Sequence, residues 1–214
     1  MTSKQCKEHR KKKLQRRFFQ AVLAFIILIL IIILVVWLVL RPTKPRFELQ
    51  DAIINQLKTT SPNTLTTNAQ VTLYSRNPNE RIGIYYDRLL VYLSYRNQQI
   101  TLPCDIPPFY QGHKDVNIWS PFLYGVSVPI SPYVALSLGE DQNLGGLMVN
   151  VKIEGRVRWK VGTWVSGRYH LYVNCPAYMV KGSNGIRLQN PSGCSVDGIQ
   201  GFLPSKANEV EASF

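Results

Sequence analysis

Val149-Asn150-Val151-Lys152-Ile153-Glu154-Gly155-Arg156-Val157-Arg158-Trp159-Lys160-Val161 divides by parity. Val149, Val151, Ile153, Val157, Trp159 and Val161 take the odd positions, and Asn150, Lys152, Glu154, Arg156, Arg158 and Lys160 the even ones. Successive strand side chains point to opposite faces, so this stretch is an antiparallel strand with one buried and one charged, solvated face. Gly155 falls on the apolar parity with no side chain and marks a bend or bulge. Working outward, the same period recurs. Tyr169, Leu171, Val173 and Cys175 alternate with Arg168, His170, Tyr172 and Asn174. Ile82, Ile84 and Tyr86 form a third apolar set; Leu89, Val91, Leu93 and Tyr95 continue it in shifted phase after Asp87-Arg88. Val71 and Leu73 fit a fourth strand, residues 47–54 a first, and residues 124–130 another. Turn signals stand between these runs at Asn77-Pro78-Asn79, Arg96-Asn97-Gln98, Pro107-Pro108, residues 139–146 and residues 162–167. Several short strands at this spacing predict an all-β domain over residues 47–198. The expected form is an antiparallel β-sandwich of the fibronectin or immunoglobulin kind, with a flexible tail at 199–214.

A different pattern precedes this domain. Residues 18–40 hold no charge, and 19 of these 23 residues are Leu, Ile, Val or Phe. At about 1.5 Å per residue they span roughly 35 Å as a helix, enough for a hydrocarbon core of about 30 Å. A cleavable signal peptide has a shorter apolar region, about 7 to 15 residues, and a small-x-small cleavage site. This run leaves through Trp37, Leu38, Val39, Leu40, Arg41 and Pro42, which offers no such site. A single transmembrane helix of the signal-anchor type is expected at 18–40. Eight basic residues precede it, Arg10, Lys11, Lys12, Lys13, Arg16 and Arg17 among them, against only Arg41, Lys44 and Arg46 soon after. The positive-inside rule then keeps arm 1–17 cytosolic and sends the chain from the 41–46 linker onward across the membrane. The basic cluster sets topology, and its alternative role adds contact with anionic lipid at about 1 kcal/mol per near-surface cation. Cys6 in this arm is a candidate for S-palmitoylation, with a plain reduced thiol as the other reading.

The formal charge of +12 suggests nucleic acid until its distribution is read. Residues 1–17 carry 8 basic and 1 acidic side chains, so +7 of the total lies there and +5 is spread over the rest. A nucleic-acid reader clusters charge on a folded face, so no nucleic-acid partner is expected. The three histidines, His9, His113 and His170, are scattered, and no paired metal spacing occurs. Gly125-Val126-Ser127-Val128-Pro129 lacks the final Gly and the helix of a nucleophile elbow. No enzyme, metal or cofactor is expected. Cys175 lies on the core parity of its strand, and Cys194 shares parity with Val196. In an oxidising compartment the two can bridge, closing a loop of about 20 residues at roughly 3 kcal/mol. Two buried thiols are the alternative. Cys104, in phase with Leu102 and Ile106, reads as a small buried hydrophobe. No N-x-S/T glycosylation site occurs, because Pro191 follows Asn190.

Several segments together resemble the plant family of non-race-specific-disease-resistance and harpin-induced-like proteins. They are Arg41-Pro42-Thr43-Lys44-Pro45-Arg46-Phe47, Arg76-Asn77-Pro78-Asn79, and Ile82-Gly83-Ile84-Tyr85-Tyr86-Asp87. Pro107-Pro108-Phe109-Tyr110-Gln111-Gly112-His113-Lys114 and Gly155-Arg156-Val157-Arg158-Trp159-Lys160-Val161-Gly162 follow in order. The resemblance covers roughly residues 18–198. It implies a late-embryogenesis-abundant type-two domain, a fibronectin-like sandwich on a plasma-membrane anchor, in immune signalling, stress responses and wall or plasmodesmal contact. Asn77-Pro78-Asn79 and Tyr85-Tyr86-Asp87 are its marked motifs; physically, the first reads as a turn built by Asn side-chain bonding and the fixed φ of Pro.

The expected protein is a non-enzymatic, single-pass plasma-membrane protein of plant defence or stress response. Its extracellular sandwich binds cell-wall or protein partners, and its cytosolic arm touches anionic lipid; a homo-oligomer is compatible with it. Two alternatives stay open: a lipid-binding module with an apolar groove in the sandwich, and a stress-protective stabiliser.

Overall fold

The structure is a computed structural model. It describes the backbone of residues 3–39, 42–61, 63–182 and 185–198, with side chains except at 3–15, 35–39 and 60–61. The expected tail at 199–214 lies outside the described residues. The chain falls into two compact units, Met1–Arg41 and Pro42–Phe214.

The first unit is one helix, α1 (Ser3–Val39). It starts ahead of the basic cluster, so the cationic and apolar runs share one continuous helix. Over Arg16–Leu34 it is long and apolar enough to cross a membrane, and none of it is buried. Leu40, the last residue of the expected span, lies outside the described residues.

In the second unit, β1 (Arg46–Ser61) and β2 (Thr64–Arg76) pair along their full length. β3 (Gly83–Tyr95) turns back into β4 (Gln98–Gln99), with Arg96 and Asn97 both at positive φ, the backbone twist that a two-residue hairpin loop requires. Short strands β5 (Cys104–Ile106), β6 (Phe109–Gln111) and β7 (Val116–Trp119) lead to β8 (Phe122–Pro129). After helix α2 (Pro132–Leu144) come β9 (Gly146–Val161), β10 (Trp164–Val165) and β11 (Tyr169–Gly182). β12 (Gly185–Leu188), β13 (Ser192–Gly193) and β14 (Ser195–Asp197) finish the described chain.

The antiparallel β class stands, and the strands join differently from two separately bonded sheets. One ladder runs β4-β3-β9-β11-β12-β1-β2-β7, with β5 and β6 on the edge of β3 and β8 on β2. The sheet curls, so β3-β9-β11 and β1-β2-β8 form two halves with the core between them. Phe47 of β1 meets Tyr86 of β3 edge-on at 6.4 Å across that core. The halves are stitched at a seam. β12 pairs with both β1 and β11, through Ile53↔Arg187 and Val180↔Arg187, and further along the seam β13 pairs with β1 and β14 with β11. Leu49, Val71, Leu73, Ile84, Val91, Val151 and Leu171 are each buried, as the period-two pattern requires.

Two local features depart from the sequence expectation or explain it. The shifted phase in β3 is a β-bulge: Tyr86 faces Val157 and Arg88 faces Arg156, leaving Asp87 as an unpaired extra residue. The turn expected at 139–146 is instead mostly helix, since α2 runs to Leu144. The Ser131 side chain caps it by accepting from the Val134 N–H at 3.3 Å, and Pro132 starts it with a preset φ. Val134 and Leu138, one turn apart, bury one face of the helix. Gly145, at φ 80, ends the helix and donates its N–H to the Gln142 carbonyl.

Cys175 and Cys194 are joined by a disulfide with Cα atoms 4.2 Å apart. The Cys194 N–H also donates to the Phe47 carbonyl at 3.0 Å, so the bridge sits on the seam and ties the C-terminal crossover to β11 and β1 together. Cys104 is free and half-buried. With the bridged cysteines 19 positions apart, the lost denatured-state entropy is worth roughly 3 kcal/mol. Reduction or Cys194→Ser in the full chain should lower the unfolding free energy by about that amount in denaturant titration; an unchanged midpoint would show that the bridge carries none of it.

Candidate functional site

Chemistry-bearing side chains gather on the outer face of β3-β9-β11, the solvated parity of the opening stretch. The Asp87 bulge is the cause. By inserting one residue it turns both Asp87 and Arg88 outward while Tyr86 and Leu89 stay buried. Asp87 accepts from Arg158 Nε at 2.8 Å and Nη2 at 2.5 Å, and from Arg168 Nε at 3.1 Å. Beside it, Tyr85 and Tyr110 meet at 4.6 Å between ring centres. Arg158 lies 5.4 Å from the Tyr85 centroid, and the Lys160 ammonium 5.1 Å from that of Tyr110, both placed for cation–π attraction.

The register brings a second row together. Arg88 of β3, Arg156 of β9 and His170 of β11 are direct cross-strand neighbours. One step along, Tyr172 of β11 lies opposite Glu154 of β9, and its ring lies parallel to that of His170, 8° apart in plane and 6.1 Å between centres. These residues and Arg168 line an open groove of about 570 Å³. Arg88 pairs with Asp105 at 3.0 Å. Arg156 pairs with no carboxylate among the described residues. Glu154 accepts a 2.5 Å bond from the Tyr92 hydroxyl, and Asp141 one of 2.5 Å from Tyr95. Burial, reinforced by the adjoining carboxylate, pushes both phenols up to about 12.

Asn77-Pro78-Asn79 lies elsewhere in the same unit. Asn77 is fully buried and uses its whole amide. Its Nδ2 donates to the Ile82 and Gly112 carbonyls at 2.8 Å each, and its Oδ1 accepts from the Asn79 N–H at 3.0 Å and Asn79 Nδ2 at 2.9 Å. Asn79 in turn clamps Thr43, accepting its N–H and donating to its carbonyl, both at 2.8 Å. Pro45 is buried and Lys44 Nζ donates to the Val196 carbonyl at 2.9 Å, so residues 43–45 are fastened to the β unit rather than hanging from it. Gln111 does similar work inside: it accepts from the Tyr86 hydroxyl at 3.0 Å and donates to the Ser75 carbonyl at 3.0 Å, linking the two halves. Burial raises the pKa of the Tyr86 phenol, which therefore stays protonated.

Of the residues expected from the sequence to matter, Tyr85 and Asp87 join the outer-face network, Tyr86 belongs to the core, and the Asn-Pro-Asn motif serves the clamp on Thr43. Arg16 and Arg17 are exposed on α1. The side chains of Cys6, Arg10, Lys11, Lys12 and Lys13 lie outside the described residues. Arg88, Arg156, Arg168, His170 and Tyr172 were not singled out. Their one sequence signal was the even parity of their strands, which marks a solvated face and nothing more.

The comparisons with known proteins bear on this arrangement. Residues 72–175 match the family model described as late embryogenesis abundant protein. NDR1/HIN1-like protein 1 of Arabidopsis thaliana is 49% identical over 199 residues, covering 88% of this chain and 95% of the relative. The chain belongs to the NDR1/HIN1-like family. NDR1/HIN1-like protein 12 of Arabidopsis thaliana is also 49% identical, over 209 residues, covering 92% of this chain and 100% of its own length. Protein NDR1 of the same plant is 25% identical over 78% of this chain and 76% of its own. The solution structure of a putative late embryogenesis abundant protein overlaps 64% of this chain and 71% of its own at 13% identity and a TM-score of 0.30. The NDR1/HIN1-like assignment makes this a plant stress- and defence-related protein with an N-terminal apolar helix.

Two tests follow from the site. Asn77→Ala removes the hub of a buried polar network, and each group left unsatisfied costs about 1–3 kcal/mol; the loss should appear in the full chain's denaturation curve. Asn79→Ala should cost less and chiefly speed proteolysis between Thr43 and Arg46. The phenols of Tyr92 and Tyr95 ionise near 12 in the folded chain and near 10 when unfolded. Their contribution is therefore whole below pH 10 and lost as pH rises towards 12. Tyr92→Phe with Tyr95→Phe should flatten the alkaline fall in stability, read by circular dichroism against pH.

Proposed function

We propose that this NDR1/HIN1-like protein is a non-enzymatic, single-pass plasma-membrane protein of plant defence and stress response. α1 crosses the bilayer, its basic end stays in the cytosol against anionic lipid, and the β unit stands outside the cell, with plasmodesmata among its sites. The unit is a variant of the fibronectin-type sandwich whose layers stay joined at the seam, and it binds wall or protein partners through its outer face. One observation carries the binding reading: in the groove on β3-β9-β11, Arg156 has no ion-pair partner among the described residues, while Arg88 and Arg168 beside it are paired. The carboxylates beside it are engaged, Asp87 by two guanidiniums and Glu154 by a phenol, which suits a recognition surface better than acid–base chemistry.

The topology draws support from the basic-to-apolar order along α1 and from the disulfide, which oxidising compartments favour. The lipid-carrier alternative has less support. The depression between α2 and the starts of β9 and β12 holds about 210 Å³ and is lined partly by Asp141, Gln142 and Lys181, below the range of roughly 300–1,000 Å³ usual for a ligand pocket.

Protease added outside intact plant cells should degrade the β unit and spare an epitope placed at the N-terminus. The opposite pattern of protection would overturn the topology. The full chain in neutral nanodiscs should capture partners from wall or membrane extracts, and Arg156→Glu should reduce that capture; equal capture by both would remove the groove from the reading.

A further inference from the structure

We propose that the groove on the outer face of β3-β9-β11 binds an acidic polysaccharide whose sugar rings carry carboxylates. The proposal rests on the extracellular recognition reading above and names the ligand class for it.

The physical warrant is a conflict in the sheet itself. Like charges placed directly opposite across neighbouring strands weaken their pairing. Arg88 and Arg156 are such a pair on β3 and β9, and His170 of β11 continues the row on the other side. Neighbouring strands lie about 4.8 Å apart, so the row spans roughly 10 Å. On this face the protein supplies counter-ions to three of its arginines. Asp105 answers Arg88, and Asp87 answers both Arg158 and Arg168. Arg156, in the middle of the row, has no such answer among the described residues, and its exposure leaves the guanidinium open to a ligand. A guanidinium fork recognises a carboxylate through two parallel hydrogen bonds, and an unpaired one in a groove is a ready anion receptor.

The neighbours select the kind of anion. Tyr172 is 46% exposed, and its ring and that of His170 lie parallel on one wall. Flat rings of this kind offer a π face to the C–H face of a sugar while the hydroxyl stays in water. Glu154, at the groove and bonded to Tyr92 through one carboxylate oxygen, keeps the other to accept from a sugar hydroxyl and disfavours a densely charged polyphosphate. A peptide added as a strand needs an open sheet edge. β9 has none here, because β3 and β11 pair with it along both sides of the groove. A chain that carries one carboxylate per ring, with hydroxyls between, meets every one of these demands.

The test uses the full chain in nanodiscs of neutral lipid, with oligogalacturonate as probe and its fully methyl-esterified form as the uncharged match. The wild type should bind the acid form and not the ester, with affinity falling as salt rises. Arg156→Glu should weaken binding about tenfold or more, and Arg156→Ala by a smaller factor in the same direction. Tyr172→Ala should weaken it while leaving the salt dependence unchanged, an outcome that a loss of charge alone does not give. Lys58→Glu, an exposed charge change on β1 in the other half, should leave binding unchanged, and near-ultraviolet dichroism should show each variant folded. Equal binding of acid and ester, or an Arg156→Glu variant that binds like the wild type, would overturn the proposal. Tighter binding of poly-glutamate or of anionic vesicles than of oligogalacturonate would overturn it too, in favour of an acidic polypeptide or a lipid headgroup. If the oligosaccharide fails but extract partners still bind in an Arg156-dependent way, the ligand class falls and the recognition reading survives; if neither binds, both fall.

Discussion

The surplus residue Asp87 in β3 sets what faces inward and outward along that strand and how it meets β9. Without it, the strand could not carry Tyr86 and Leu89 on the same buried face. The bulge has a requirement of its own on the adjacent strand. A Cβ on residue 155 would run into the Arg88 carbonyl and the Leu89 side chain, so the close approach of β3 to β9 holds only with glycine there. Gly155 and Asp87 are thus two halves of one device on separate strands. What the device produces on the outside is a carboxylate between two guanidiniums and an arginine row beside it.

The second constraint is topological. A curled sheet with a core between its halves must be joined where it bends, and here the joining elements are short, of two to four residues. β12, β13 and β14 supply only a few ladder bonds each. The disulfide from Cys175 to Cys194 and the Gln111 bridge between Tyr86 and Ser75 add covalent and buried polar links between elements that the ladder alone holds weakly. The Asn77-Asn79 network extends the same logic to Thr43 and so to the entry of the chain into β1.

Period-two alternation made the strands around Val151, Leu171 and Val71 legible, because one buried face imposes the register on every residue of a strand. The break of phase at Asp87-Arg88 was visible as well, and its meaning as a bulge required the partner strand. Helix α2 was hidden by Gly139 and Gly145-Gly146, which look like turn residues. Yet Ser131-Pro132, with Val134 and Leu138 one turn apart, carried the opposite message and prevailed through capping and burial. Joined halves in place of separate sheets were beyond reach, since two-to-four-residue strands such as β12 leave no periodic trace. The groove was illegible for a related reason. Arg88, Arg156 and His170 are 68 and 14 residues apart in turn, and only the antiparallel register makes them neighbours.

Stability arguments account well for most of this unit and stop at a few exposed arginines, of which Arg156 lies in the groove. Each buried apolar residue, the capped helix, the seam bridge and the Asn network lowers the free energy of the fold by a mechanism that can be named. Arg158 and Arg168 do so as well, through Asp87. Arg156 does not: it faces a like charge across one strand and a histidine across the other, and neutral β-branched or aromatic residues would suit that pleated position better. Arg46 and Arg76 also face each other with no carboxylate partner among the described residues, and what sets Arg156 apart is the groove around it, which it shares with His170 and Tyr172. The position therefore makes physical sense as a place where a counter-ion comes from outside the chain.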